Sequence, residues 1–321
     1  MSPFEKRGIS RKEIMKGFLK FAVIFAGILL LAAFLAPILY DWLPKFLQIF
    51  GVDKIYKFER IHNRIVMIAS LIAVAIFVRV KKETLKQYGI LWRPQSPGLL
   101  AAGLLTGVLT LGAVSALRVF SGHAVWAPEA LPWTGFAAKI AVALATGLLV
   151  GAMEEFFFRG FIFRSLMKVF RDGVFLSVLV TTAFYAVIHF IGMKKIFIGS
   201  DPGFVDGLRL IGAPFLSLAA WPKFWPQAVG LFLFGLALIT AVYRSGSLYP
   251  AIGLHAGCVF FVRLDDLFIK AGGKTLLWGS KIIYDGVVGW VFLILLAVFA
   301  WVLFKPKGAV SPGASPEIQT A

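Results

Sequence analysis

Eight times along this chain an apolar run reaches the length that a bilayer demands. A helix rises about 1.5 Å per residue, so a hydrocarbon core ~30 Å thick takes about 20 apolar residues. Runs of that order lie near 17–40, 62–80, 97–117, 134–158, 173–192, 226–243, 248–269 and 285–304. Lipid offers no partner to a backbone N–H or C=O, and a helix satisfies its own. The expected fold is therefore all-α: a polytopic membrane protein with about eight transmembrane helices. Composition agrees, at 59% hydrophobic residues against roughly 45–50% in soluble domains. One further apolar piece, Leu208 to Ala220, is too short to span. Trp221, Pro222, Trp225 and Pro226 follow it as aromatic anchors do at a membrane surface, so it reads as interfacial or re-entrant.

The first run follows Lys6, Arg7, Arg11, Lys12 and Lys16. It exceeds the usual apolar core of a signal peptide, about 7–15 residues, and reads as a retained anchor. That basic N-terminus and the cluster Arg79, Lys81, Lys82 and Lys86 favour a cytoplasmic N-terminus, by a narrow margin over the other loops. The expected location is the cytoplasmic membrane of a prokaryote. Four parts are expected: N-terminal membrane helices over 1–133, a core over 134–270, a last membrane helix over 271–304, and a disordered Pro-, Gly- and Ser-containing tail over 305–321. The net charge of +17 is scattered between spans, which fits attraction to lipid headgroups and not nucleic acid. A single cysteine, Cys258, excludes an internal disulfide and a cysteine zinc cluster. A thiol in apolar surroundings is inert, so Cys258 is not read as a nucleophile.

Glu154 and Glu155 stand together inside the fourth run. A carboxylate at the centre of a membrane helix costs roughly 2.5–3.5 kcal/mol on insertion scales and marks function. Glu155 and Arg159 are four residues apart, on one helix face, with the acid on the N-terminal side as an ion pair prefers. Glu154 points about 100° away, and four residues on from it stands Phe158, not a cation. Glu154 is thus the carboxylate assigned to chemistry. Gly147-x-x-x-Gly151, just before, reads as close packing of this helix against a neighbour within the monomer.

Of four histidines, His62 and His123 lie at span edges or loops and read as structural. His189 falls within the fifth run and His255 within the seventh. A desolvated carboxylate makes a general base, and imidazoles can hold a water or donate to a developing oxyanion. One Glu with two His suits a water attacking an amide. It does not suit a covalent route, since no Ser, Cys or Thr is paired with a base. A divalent metal such as zinc, held by Glu154, His189 and His255, is the alternative to a cofactor-free site. His-Glu-x-x-His is absent, so the site is not a zincin.

These residues resemble the CAAX-protease and bacteriocin-processing (CPBP) family of intramembrane endopeptidases, which includes the prenyl-protein (Rce1-type) protease. The resemblance rests on Glu154-Glu155-x-x-x-Arg159, on Tyr185-x-x-x-His189, and on His255 within Gly-Leu-His-Ala-Gly, and covers roughly 134–270. It implies a glutamic-type endopeptidase hydrolysing a peptide bond of a membrane-associated peptide or protein. Glu154 would be the general base, Glu155 and Arg159 the orienting pair, and His189 and His255 the ligands of water or oxyanion. Two positions depart from the family pattern. Tyr185 stands where Phe is usual, and Val259 where Asn or Asp is usual, which leaves the Tyr185 hydroxyl or a water to fill the place of that fourth polar group.

Depth along the helices adds a condition. Glu154 lies near the end of the fourth run, His189 deep in the fifth. They can meet only if the fourth helix continues past Arg159 towards Arg164 or Lys168, or if the helices tilt strongly or the orientation is reversed. The competing functions are a proton-coupled transporter with Glu154 and the histidines as relay, and a non-catalytic scaffold or immunity-like factor that keeps the fold. No internal repeat supports a transporter. Asp265 and Asp266 read as a solvated span end.

Overall fold

A computed structural model describes residues 11–51, 56–80, 85–170, 173–190, 197–218 and 221–304. The expected disordered tail over 305–321, the basic residues Lys6 and Arg7, and Lys81 and Lys82 all lie outside them. The chain is helical, as the apolar runs predict. It comprises α1 (Arg11–Gln48), α2 (Phe58–Val80), α3 (Ser96–Phe120), α4 (Trp133–Glu155), a π-helical stretch (Phe156–Phe163), α5 (Arg164–Val169), α6 (Val174–Ile188), α7 (Phe204–Leu218), α8 (Trp221–Ser245), α9 (Tyr249–Phe268) and α10 (Val287–Leu303). Each of the eight apolar runs overlaps one of these helices, the fourth passing from α4 into the π-helical stretch and the fifth reaching beyond the described residues at 191–192.

Among the described residues four helical stretches are long and apolar enough to cross a membrane: Val23–Gln48, Ser96–Phe120, Trp133–Val169 and Pro222–Ser245. Val174–Ile188 and Val287–Leu303 are apolar but shorter. The third stretch joins α4, the π-helical turns and α5 into one 37-residue helix. The extension past Arg159 that the depth argument called for is therefore present.

The chain divides into two compact units. The first comprises Met1–Leu85, Lys168–Asp172 and Val187–Trp225. In it α1 packs against α2 and α7 around Ala36, Phe58 and Ile61, with Tyr40 edge-on to Phe58 at 5.8 Å. Gly207 of α7 lies so close to Ala33 that a Cβ there would come within 2.6 Å of its Cα. The stretch expected to be interfacial, Leu208 to Ala220, falls in this helix as far as Leu218; Ala219 and Ala220 lie outside the described residues.

The second unit comprises Lys86–Met167, Gly173–Ala186 and Pro226–Ala321. Its axis is α9, packed between α3 and α4. Three glycine pairs at four-residue spacing make that packing close, since helices approach most tightly where side chains vanish. A Cβ on Gly103 would meet the backbone around Pro250 and Leu254, and one on Gly107 the backbone of Leu254 and Cys258. From the other side, Gly253 and Gly257 abut the α3 backbone at Leu100 and Leu104. Positions rise together along the two helices, so α3 and α9 run parallel. Gly147 meets Ala256, and Gly151 meets Ile252 and Ala256, so α4 runs antiparallel to α9. The packing role read for Gly147-x-x-x-Gly151 is what the structure shows.

At the far ends of α3 and α9 a short antiparallel ribbon ties the two together: β1 (Ala124–Trp126) pairs with β2 (Ile269–Ala271), with Val125 opposite Lys270. Asp265 departs from its expected place. It is buried, and Ser115 Oγ donates to it at 2.7 Å, because the tight α3–α9 contact covers this face of α9. Asp266 is solvated, paired with Lys281 at 3.0 Å. α10 packs on α3, and Trp290 Nε1 donates to the Pro226 carbonyl of α8 at 3.2 Å. His123 follows α3 and stacks on Trp278 at 4.7 Å, while His62 is buried in α2; neither joins the residues described next.

Candidate active site

The site is built where α4 ends, from residues that all belong to the second unit. Glu155 is the last residue of α4, and Arg159 lies in the π-helical turns that follow. Arg159 Nη1 donates to Glu155 Oε1 at 2.9 Å, and both side chains are wholly buried. The four-residue spacing predicts that pair. A buried pair is stable only when further contacts satisfy its charges, and those come from α6 and α8. Arg159 Nη2 donates to the Gly235 carbonyl at 3.3 Å. The guanidinium carbon lies 4.3 Å from the Tyr185 ring centroid and 5.8 Å from that of Phe158. Desolvated contacts of this kind are worth ~2 kcal/mol. Gly235 makes the arrangement possible, since a Cβ there would sit 2.8 Å from Thr182 Cγ2 and 3.4 Å from Arg159 Nη2.

Tyr185 is accordingly a wall of the site. It is 1% exposed, its ring perpendicular to Phe158 at 5.0 Å and facing Arg159.

His255 arrives from α9. Gly151 is why it can: a Cβ at Gly151 would already touch that of His255, at 3.5 Å. At this approach His255 Nδ1 donates to Glu155 Oε1 at 2.8 Å. Glu155 therefore serves Arg159 and His255 with the same oxygen. It fixes the imidazole ring and its tautomer, as a carboxylate behind a functional histidine does. The ring is walled by Phe234 (5.3 Å, edge-on) and by Tyr185 (6.5 Å). Its other nitrogen, Nε2, faces Glu154 Oε2 at 3.9 Å. Unlike Glu155, Glu154 is 30% exposed.

The structure thus gathers Glu154, Glu155, Arg159 and His255. His189 stands one residue beyond α6, half-buried, in a stretch belonging to the first unit, and is not part of the geometry described for the second. Among the described residues no group of three His, Cys, Asp or Glu side chains is placed to hold a metal ion.

Two contributors carry no motif in the sequence. Gly235 is one. The other is Tyr284, in the loop ahead of α10, whose hydroxyl accepts from Gln227 Nε2 at 3.5 Å. Burial pushes the Tyr284 hydroxyl above its usual pKa; the Gln227 bond opposes this, and the charges of Asp285 and Glu154 reinforce it. A tyrosine within the electrostatic reach of Glu154 thus stays neutral. A loop tyrosine has no periodicity to betray it; only the fold brings it here.

Residues 136–261 match the family model of type II CAAX prenyl endopeptidases, Rce1-like. The matched segment runs from α4 into α9 and includes Glu154, Glu155, Arg159, Tyr185, Gly235 and His255, as well as His189, but not Tyr284. Comparison with curated proteins and with solved structures finds no match. The family is one of membrane-embedded proteases, and its model ends on the helix that carries His255. Over residues 136–261, less than half of its length, this membrane chain is thus similar to the Rce1-type CAAX prenyl endopeptidases.

Proposed function

We propose that this chain is a glutamic-type intramembrane endopeptidase, in which Glu154 and histidine activate a water for attack on a peptide bond. The observation that carries the reading is the face-to-face placement of Glu154 Oε2 and His255 Nε2, 3.9 Å apart, with Glu155 gripping the far side of the ring. That separation is too long for a direct hydrogen bond and short enough for one water to touch both groups. Glu154 takes a proton from the water, and the resulting hydroxide adds to the carbonyl carbon. The C–N bond then breaks as Glu154 returns the proton to the leaving amine. With Nδ1–H committed to Glu155, His255 offers Nε2 to the water or, protonated, to the oxyanion. His189 is assigned the role of second imidazole, ligand of water or oxyanion, on the Tyr185-x-x-x-His189 motif in the sequence alone.

Eight membrane helices, a cytoplasmic N-terminus and the cytoplasmic membrane of a prokaryote complete the proposal. The eight spans are supported by the helices that overlap the eight apolar runs, and the orientation by the basic N-terminal residues in the sequence. Substrates of the right class are prenylated C-terminal peptides, bacterial peptide precursors, or membrane proteins cut near a span end. The test is incubation of the purified protein in liposomes with a library of membrane-anchored peptides, with products read by mass spectrometry. Internal cleavage that persists with chelator present is expected. No cleavage of any member contradicts the protease reading. Cleavage lost to chelator and restored by a divalent metal contradicts the carboxylate–imidazole mechanism.

A further inference from the structure

Away from the site, the second unit has a basic cleft. It holds about 110 Å³, room for three or four waters at ~30 Å³ each. The loop carrying Lys86 and Arg93 forms one side and the turn Gly246–Ser247 the other. Leu248 N–H donates to the Gly89 carbonyl at 3.0 Å and clamps the two together. Gly89 (φ 85°) and Gly246 (φ 68°) both take the left-handed conformation, which lets the backbone fold back around the opening. Arg164 flanks it: Nη2 lies 3.5 Å from the Gly246 carbonyl and 2.7 Å from where a Cβ of Gly89 would stand.

Two cations, Lys86 and Arg93, thus line one small opening, and a third, Arg164, flanks it. The segments that build it, 85–95, 160–169 and 243–249, contain no Asp or Glu. Its level is set by the helices around it. α3 starts just after Arg93, and the α8 stretch Pro222–Ser245 ends just before Gly246; both are long and apolar enough to span. The cleft therefore opens where spans end. Trp92, 67% exposed and edge-on to Tyr249 at 5.6 Å, is placed as interfacial aromatics are.

We propose that this cleft binds a phosphate group at the bilayer surface, from an anionic phospholipid headgroup or from free phosphate, through Lys86, Arg93 and Arg164. Arginine and lysine side chains lining and flanking a small opening suit a tetrahedral oxyanion. A bound phosphate would tie the loop ahead of α3 to the turn between α8 and α9.

The full chain is reconstituted in nanodiscs of phosphatidylcholine with a minor fraction of phosphatidylglycerol, and lipid retained on the protein is read by native mass spectrometry. In a second arm, inorganic phosphate is titrated against the detergent-solubilised protein while Trp92-dependent fluorescence is followed. The variants are Lys86→Gln/Arg93→Gln in the cleft and Lys270→Gln/Lys274→Gln at the opposite end of α9, which removes the same charge. Retention of phosphatidylglycerol over phosphatidylcholine is expected. It should fall about tenfold or more in the cleft variant, the worth of one charge-assisted hydrogen bond, and be unchanged in the distal variant. Phosphate binding without lipid preference, lost in the cleft variant alone, supports the same site with free phosphate as its ligand. The proposal is overturned by equal losses in both variants, by no loss in the cleft variant, or by binding of neither probe. If the cleft variant does not fold, Lys86→Arg/Arg93→Lys must retain binding while either single Gln change weakens it; single changes without effect overturn the proposal.

Discussion

Two carboxylates adjacent in sequence meet opposite environments. Glu155 is sealed between Arg159 and His255, and Glu154, 100° round the helix, keeps 30% of its surface exposed. In the proposed mechanism the first orients and the second reacts. The spacing of Glu155 and Arg159 made their pairing legible in the sequence. The contact from Glu155 to His255, across 100 residues, was not, because it depends on how closely two helices approach. Truncating one partner of a buried ion pair strands the other charge, at roughly 3–5 kcal/mol. Arg159→Ala should therefore lower the thermal midpoint in detergent by several degrees and abolish activity. A midpoint equal to wild type would show that the pair does not hold this region. Val259 lies one turn beyond His255 and is half-buried, and the resemblance to the family implies a polar side chain there. Val259→Asn should raise the rate of peptide cleavage, towards the 10²–10³-fold that an oxyanion donor is worth. Unchanged turnover in a folded variant would mean that the donor comes from elsewhere.

At the scale of the element, glycine decides what the site can be. Gly147 and Gly151 bring α9 onto α4, and Gly103 and Gly107 bring it onto α3, so a short glutamate reaches the imidazole. Only the α4 pair was singled out in the sequence. The others sit in helices where small residues are common, and nothing local says which face meets a neighbour. The π-helical turns from Phe156 to Phe163 left no signal either. Their aromatic sequence suits an α-helix equally well, and the i→i+5 pattern, common at functional sites, is imposed by tertiary packing. There Gly160 abuts the Tyr88 carbonyl, which a Cβ would approach to 3.1 Å. A side chain on Gly253 would run directly into the Leu100 carbonyl. Gly253→Leu should separate α3 from α9 and cost about 1–3 kcal/mol or more, with loss of activity. Gly273→Leu, where nothing lies within 4 Å, should leave the melting temperature unchanged. Equal midpoints for both variants would contradict the close-packing account.

For the whole molecule, hydrophobic run length predicted where the helices are, because in lipid each helix must satisfy its own backbone. It said nothing of the β1–β2 ribbon, too short to show periodicity, or of Asp265, whose burial follows from neighbours on α3. Nor did it announce that the chain is divided into two interleaved units, the boundary falling between Ala186 and Val187 and so just ahead of His189. The family model, over residues 136–261, spans that boundary. The central claim is that Glu154 is the base. It is tested most directly by single-turnover cleavage of one identified membrane peptide by wild type and Glu154→Gln, with melting temperatures measured on the same preparations. The account predicts equal melting temperatures and a rate lower by at least 10²–10⁴-fold, the contribution of a general base. Cleavage by folded Glu154→Gln at a rate near wild type would contradict it.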